Sequence, residues 1–84
     1  MSAFRNSKRA FRALPLGRRL SVLRERKNLK LTDAAKQLHI AKGHLLDLEV
    51  GRSANPTLKT LLAICAVYDI TIQELTTGLK YGND

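Results

Sequence analysis

The chain has one cysteine, no tryptophan, two prolines and two histidines in 84 residues. A lone Cys65 excludes an internal disulfide and any cysteine-rich zinc site. His39 and His44 are five positions apart and Cys65 is distant, so the close ligand spacing of a zinc site is missing too. The longest apolar run, Leu61 to Val67, falls far short of the ~20 residues of a membrane-spanning helix. The N-terminus has no apolar stretch of the kind a secretory signal carries. No Gly-rich phosphate loop, no Ser–His–Asp order and no paired catalytic carboxylates stand out. Cys65 falls among core positions and reads as packing, not as a nucleophile. Neither metal, cofactor nor enzymatic activity is expected.

Acids are scarce as well. Fifteen Lys and Arg face seven Asp and Glu, a net charge of +8 and a pI near 10.3. Residues 1–27 hold nine basic side chains and a single acid, Glu25, so the segment carries net +8. Residues 28–54 are at +1 and residues 55–84 at −1. The whole excess lies in the first third of the chain. Such a block implies a polyanionic partner, nucleic acid first and an anionic membrane surface second. The chain is also 44% apolar, enough for a packed core and too much for a disordered basic tail. One small domain is expected, too thin for a roomy buried active site.

Periodicity predicts helices throughout. Residues 1–15 form a basic arm, partly helical or ordered on binding, in which Phe4, Phe11 and Leu14 share a face. Pro15 ends it. Leu16, Leu20 and Leu23 stripe a helix that stops near Asn28. A second helix begins between Lys30 and Asp33 with Thr32 as the expected cap, and buries Ala34, Ala35 and Leu38. A third runs from Lys42 to about Val50 with Leu45 and Leu48 inward, closed by Gly51. Thr57 caps a fourth, from Leu58 to about Tyr68, with Leu58, Leu61, Leu62 and Cys65 as its expected stripe. Thr71-x-x-Glu74 is a capping box for a short fifth helix carrying Ile72 and Leu75. Gly78 ends that helix and a frayed tail follows. No alternating run of β-branched residues appears, so no sheet is predicted. The expected domain is all-α over residues 16–76, flanked by the arm and by a tail at 77–84.

Helices two and three, joined by about three residues, form a helix-turn-helix arrangement. A major groove admits one helix, and a second must brace it. With Leu45 and Leu48 inward, the third helix turns Lys42, Gly43, Leu46, Asp47 and Val50 outward, with His44 near the edge. Ala35 is small enough for the brace to approach closely. Residues 24–51, RERKNLKLTDAAKQLHIAKGHLLDLEVG, and 55–75, NPTLKTLLAICAVYDITIQEL, resemble the lambda-repressor-like (Cro/CI, or XRE) helix-turn-helix family. The resemblance spans residues 16–76 and implies a compact five-helix domain that binds double-stranded DNA.

The resemblance further implies that Lys42, Gly43, His44 and Asp47 face base edges. Lys42 can donate to guanine and Asp47 can accept from cytosine; Gly43 surrenders a side-chain contact. Phosphate contacts are expected from Arg5, Lys8, Arg9 and Arg12 of the arm, Arg18 and Arg19 of the first helix, Lys30 and Thr32, and Arg52 and Ser53. Arg24 and Glu49 match a structural ion pair linking the first and third helices. The chain departs from the family at Leu31, where glutamine is common, at His39, commonly glycine, and at Ala41, commonly a capping hydroxyl. Val50 also stands where a polar residue is frequent. These departures spare the fold but remove usual phosphate contacts from the helix pair.

The resemblance implies a cytoplasmic transcriptional repressor of bacterial or phage type, binding a palindromic operator as a homodimer. Ile72, Leu75, Leu79 and Tyr81 are the expected dimer surface. A competing reading is an antitoxin or inhibitor that grips a partner protein through Phe4, Phe11 and Leu14. A third treats the acid-free arm as an organellar targeting peptide.

Overall fold

The computed structural model of the chain describes residues 8–53 and 55–79, and every regular element among them is an α-helix. α1 spans Lys8–Arg12, α2 Leu16–Arg26, α3 Leu31–Leu38, α4 Lys42–Val50, α5 Leu58–Tyr68 and α6 Ile72–Thr76. The five helices predicted after Pro15 are α2 to α6. Arg5, Phe4 and Tyr81 lie outside the described residues.

The helix ends follow local chemistry. Pro15, with φ −66° and ψ 163°, leads into α2 in the extended conformation its ring favours. After α2 the chain reverses at Asn28, whose φ of 58° is left-handed. Thr57 Oγ1 accepts the Thr60 N–H at 3.2 Å and caps α5. Thr71 Oγ1 accepts the Glu74 N–H at 3.0 Å and caps α6. The return half of that box differs from expectation. The Thr71 hydroxyl donates to Glu74 Oε1 at 3.1 Å, so the carboxylate is satisfied by the side chain, not by the cap residue's backbone.

Thr32 is not a cap. Lys30 is the capping position of α3 and makes no side-chain cap bond, which puts Thr32 inside the first turn. Starting at Leu31 completes an apolar face of Leu31, Ala34, Ala35 and Leu38 at i, i+3, i+4 and i+7. Burial of that face decides the start, and Asp33 in the first turn suits the positive end of the helix.

The core is Leu20 and Leu23 of α2, Ala34, Ala35 and Leu38 of α3, Leu45 and Leu48 of α4, Ile64 and Tyr68 of α5, and Leu75 of α6. The predicted stripe of α5 is displaced around the helix. Ile64 and Tyr68 face inward, Leu61 and Cys65 are half-buried, and Leu62 and Leu58 are exposed, Leu58 by 66%. α5 is apolar on nearly every side, so its period cannot select the inner face.

Two contacts of α2 fix the frame. Gly17 lies against the backbone of α4: a Cβ there would sit 2.4 Å from the Leu48 carbonyl oxygen and 2.5 Å from that of Glu49. Arg19, 0% exposed, donates to four carbonyls. Nε reaches Leu14 at 2.8 Å, Nη2 reaches Arg12 at 2.7 Å, and Nη1 reaches Leu75 at 2.8 Å and Thr77 at 2.7 Å. These oxygens sit at the C-terminal ends of α1 and α6, where carbonyls lack intrahelical partners and carry partial negative charge. The Phe11 ring lies 5.4 Å from the Arg19 guanidinium carbon and 5.6 Å from that of Arg26. Arg19 therefore ties the ends of α1 and α6 to α2.

Candidate nucleic-acid interface

α4 is the outward element. Leu45 and Leu48 anchor it in the core, and Gly17 lets its backbone settle directly on α2. α3 packs against it as the brace. The connection is short because His39 takes the left-handed conformation, φ 59°, at the end of α3. Ala41 precedes α4 in an extended conformation and offers no side-chain cap. Gly51, φ 87°, ends the helix. With the inner face so fixed, Lys42, Gly43, His44, Leu46 and Val50 are exposed and Asp47 is half-exposed.

Arg24 and Glu49 brace α4 from behind. Arg24 Nε donates to Glu49 Oε2 at 2.8 Å and Nη2 to Oε1 at 3.1 Å. Arg24 Nη1 also holds the Leu29 carbonyl at 2.9 Å, and the Ser21 hydroxyl donates to Glu49 Oε1 at 3.1 Å. Hydrogen bonding to Glu49 raises the Arg24 pKa above its ordinary value despite the opposing effect of burial. Tyr68 lies in the same electrostatic neighbourhood. Burial, and then the Glu49 charge, push its phenol up to about 12.

The expected phosphate contacts separate into groups. Lys8, Arg9 and Arg12 on α1, Arg18 on α2, Lys30 and Thr32 at the start of α3, and Arg52 after α4 are all exposed. Ser53 is half-buried, and its N–H donates to the Asp47 carbonyl at 3.1 Å. Arg19 is a correction. Its guanidinium is wholly buried and engaged with backbone carbonyls, so it is not a phosphate ligand. The signal was present: position 19 falls between Leu16, Leu20 and Leu23 on the inner stripe of α2.

The structure brings Asp47 and Arg52 together. Arg52 Nε lies 3.1 Å from Asp47 Oδ1, with the side chains 66% and 47% exposed. The sequence placed these two residues in separate roles, one reading bases and one holding phosphate. An open cleft of about 510 Å3 is lined by Arg12 and Leu14, Gly17 and Leu48, and Gly51 and Ser53. The end of the basic arm thus borders the C-terminal end of α4.

Two further expectations need correction. Leu75 is fully buried in the core and cannot serve as a dimer surface while the domain is folded, whereas Ile72 is 42% exposed and Leu79 is half-buried. Phe11 packs against the core and faces two guanidinium groups, so it is occupied within the fold. Among the described residues no helix is long and apolar enough to cross a membrane, and no group of His, Cys, Asp or Glu could hold a metal ion.

Residues 15–77 match the family described as helix-turn-helix domain. The chain is 38% identical over 71 residues to the HTH-type transcriptional regulator DdrOP3 of Deinococcus deserti. That alignment covers 84% of this chain and 54% of the relative, so the chain spans about half the length of that curated protein. The solved N-terminal DNA binding domain of SinR from Bacillus subtilis is similar in structure, with a TM-score of 0.68 and 26% identity. The superposition covers 82% of this chain and 96% of the other.

Proposed function

The chain belongs to the Cro/CI-like helix-turn-helix family, and on that premise we propose that it is a transcriptional regulator that binds double-stranded DNA through α4. The observation that carries the reading is the outer face of α4. Lys42, Gly43 and His44 stand exposed in its first turn, on a helix anchored by Leu45 and Leu48 and braced by α3. In helix-turn-helix docking, the N-terminal residues of the second helix reach base edges. Lys42 donates there, preferentially to guanine, and the bare backbone at Gly43 allows close approach.

Affinity comes from other parts of the chain. Lys8, Arg9, Arg12 and Arg18 supply a net positive charge that α4, with Lys42 against Asp47 and Glu49, does not have. Neutralised phosphates release counterions, so binding is expected to fall steeply with salt. We further propose a repressor that occludes its site in the bacterial cytoplasm as a homodimer, since one reading helix spans only a few base pairs. The exposed Leu58, Leu62 and Ile72 offer apolar surface for pairing; Leu75 does not.

Selection from a random duplex pool at near-physiological salt tests the reading. A palindromic consensus with half-sites about 10 base pairs apart is the expected result. Recovery of no consensus would exclude sequence-specific recognition.

A further inference from the structure

Asp47 and Arg52 form one unit, and its geometry reassigns the carboxylate. Asp47 occupies the outer face of α4, where an isolated carboxylate would repel phosphates and could only accept from a base. Here it already has a partner. Arg52 folds back along the last turn of the helix, and its Nε meets Asp47 Oδ1 at 3.1 Å. The same residue is gripped through its backbone: the Asp47 carbonyl accepts the Ser53 N–H at 3.1 Å. Gly51, φ 87°, makes the reversal between them. The segment after α4 is therefore pinned to Asp47 at two points.

We propose that Asp47 is a positioning residue for Arg52, and that Arg52 grips a DNA phosphate with the terminal edge of its guanidinium. This rests on the DNA-binding reading given above. A guanidinium has five N–H groups in a fixed fork, and an ion pair made on the Nε side still leaves both terminal nitrogens to donate. That edge matches two phosphate oxygens. The C-terminal end of α4 is the end remote from the base-reading first turn, so the group in reach there is backbone and not base. As an exposed pair the two residues add little to folding. Their value lies in holding a long side chain ready, because ordering one on binding costs about a few-fold to tenfold in affinity. Pairing also cancels the charge that would otherwise set Asp47 against the duplex.

The test uses the full chain and the duplex recovered by selection, with Asp47→Ala, Asp47→Asn, Arg52→Ala and the Asp47→Ala/Arg52→Ala double variant. Asp47→Ala is expected to weaken binding roughly three- to tenfold on all sequences alike, with the preferred bases unchanged. Asp47→Asn keeps an acceptor for Nε and is expected to recover part of the loss. Arg52→Ala is expected to lower the salt slope by about 0.9, one phosphate contact. In the Arg52→Ala background, Asp47→Ala is expected to cost nothing further.

Three results would overturn the proposal while leaving DNA binding intact. These are a changed base preference in Asp47→Ala, tighter binding in Asp47→Ala, or a full loss that persists without Arg52. If the wild-type chain enriched no duplex at all, the DNA-binding reading would fail first and this one with it. Neither side chain is buried, so unchanged thermal melting is expected to show that each variant is folded.

Discussion

Arg19 donates to the carbonyl of Leu75 at 2.8 Å, across 56 residues of chain. The same guanidinium holds the Arg12 and Leu14 carbonyls, which precede it in the chain. Arg19→Lys is therefore expected to be a severe change, although it keeps the charge. A single ammonium has three donors around one nitrogen and cannot span four carbonyls that surround a planar fork. Charged hydrogen bonds contribute ~1.5–3 kcal/mol each, and buried acceptors left unmatched add a penalty. The expected loss is about 3–4 kcal/mol, read by urea unfolding. Arg18→Lys, one residue away and exposed, is the control and is expected to be near neutral.

Gly17→Ala isolates the contact between α2 and the reading helix. Alanine is normally the better helix former by ~1 kcal/mol. Here its Cβ would lie 2.4 Å and 2.5 Å from two backbone oxygens of α4, neither of which can rotate away. The helix pair must separate instead. A loss of about 2–3 kcal/mol is expected, within the range of overpacked cores. Because α4 moves, specific DNA affinity is expected to fall more than nonspecific affinity, which competition with unrelated duplex would measure.

Periodic burial made much of this fold legible. The stripe of Leu20 and Leu23, the slim face of Ala34, Ala35 and Leu38, and the inward Leu45 and Leu48 all follow from spacing alone. The inner face of α5 did not follow, because LKTLLAICAVY is apolar around most of its circumference and only tertiary packing chooses Ile64 and Tyr68. Gly17 carries no periodic signal, although a glycine in the first turn of a helix can mark a close backbone approach. Arg19 was grouped with Arg18 by charge, yet the helical period already separated them. For the candidate interface, the outward set on α4 was legible from the inward leucines. The Asp47–Arg52 pair was not, since it depends on how the chain turns after Gly51.

Tyr68 gives the fold an alkaline limit. Its hydroxyl is buried and has no hydrogen-bond partner among the described residues. Burial and the Glu49 charge disfavour the phenolate and push the pKa up to about 12, against an ordinary value of 10. The folded state thus holds its proton longer than the unfolded chain does. The associated stability is fully present below pH 10, declines between pH 10 and 12, and levels off above that. Two pH units correspond to about 2–3 kcal/mol. Tyr68→Phe is expected to remove that component, seen as the change in the wild-type-minus-variant difference between pH 9 and pH 12. At neutral pH the same substitution removes an unmatched hydroxyl and is expected to raise stability by about 1 kcal/mol.

The turn between α3 and α4 is the place where the chain can be improved. His39 holds a left-handed conformation, φ 59°, that strains a residue with a Cβ by ~1–2 kcal/mol. Glycine has no such strain but loses more backbone entropy on folding. His39→Gly is therefore expected to gain only about 0.5–1 kcal/mol. Ala41 stands at the capping position of α4 without a side-chain acceptor. Ala41→Ser supplies one for an N–H of the first turn, worth ~1 kcal/mol. The two positions share one tight turn, so the double variant is expected to deviate from additivity. Urea unfolding of the four proteins measures the gains and their coupling. Affinity for the selected duplex is expected to follow Ala41→Ser more than His39→Gly, because the cap fixes the first turn of α4, where Lys42 and Gly43 meet the bases. Equal effects on affinity would mean that the angle between the helices, and not the order of that first turn, limits recognition.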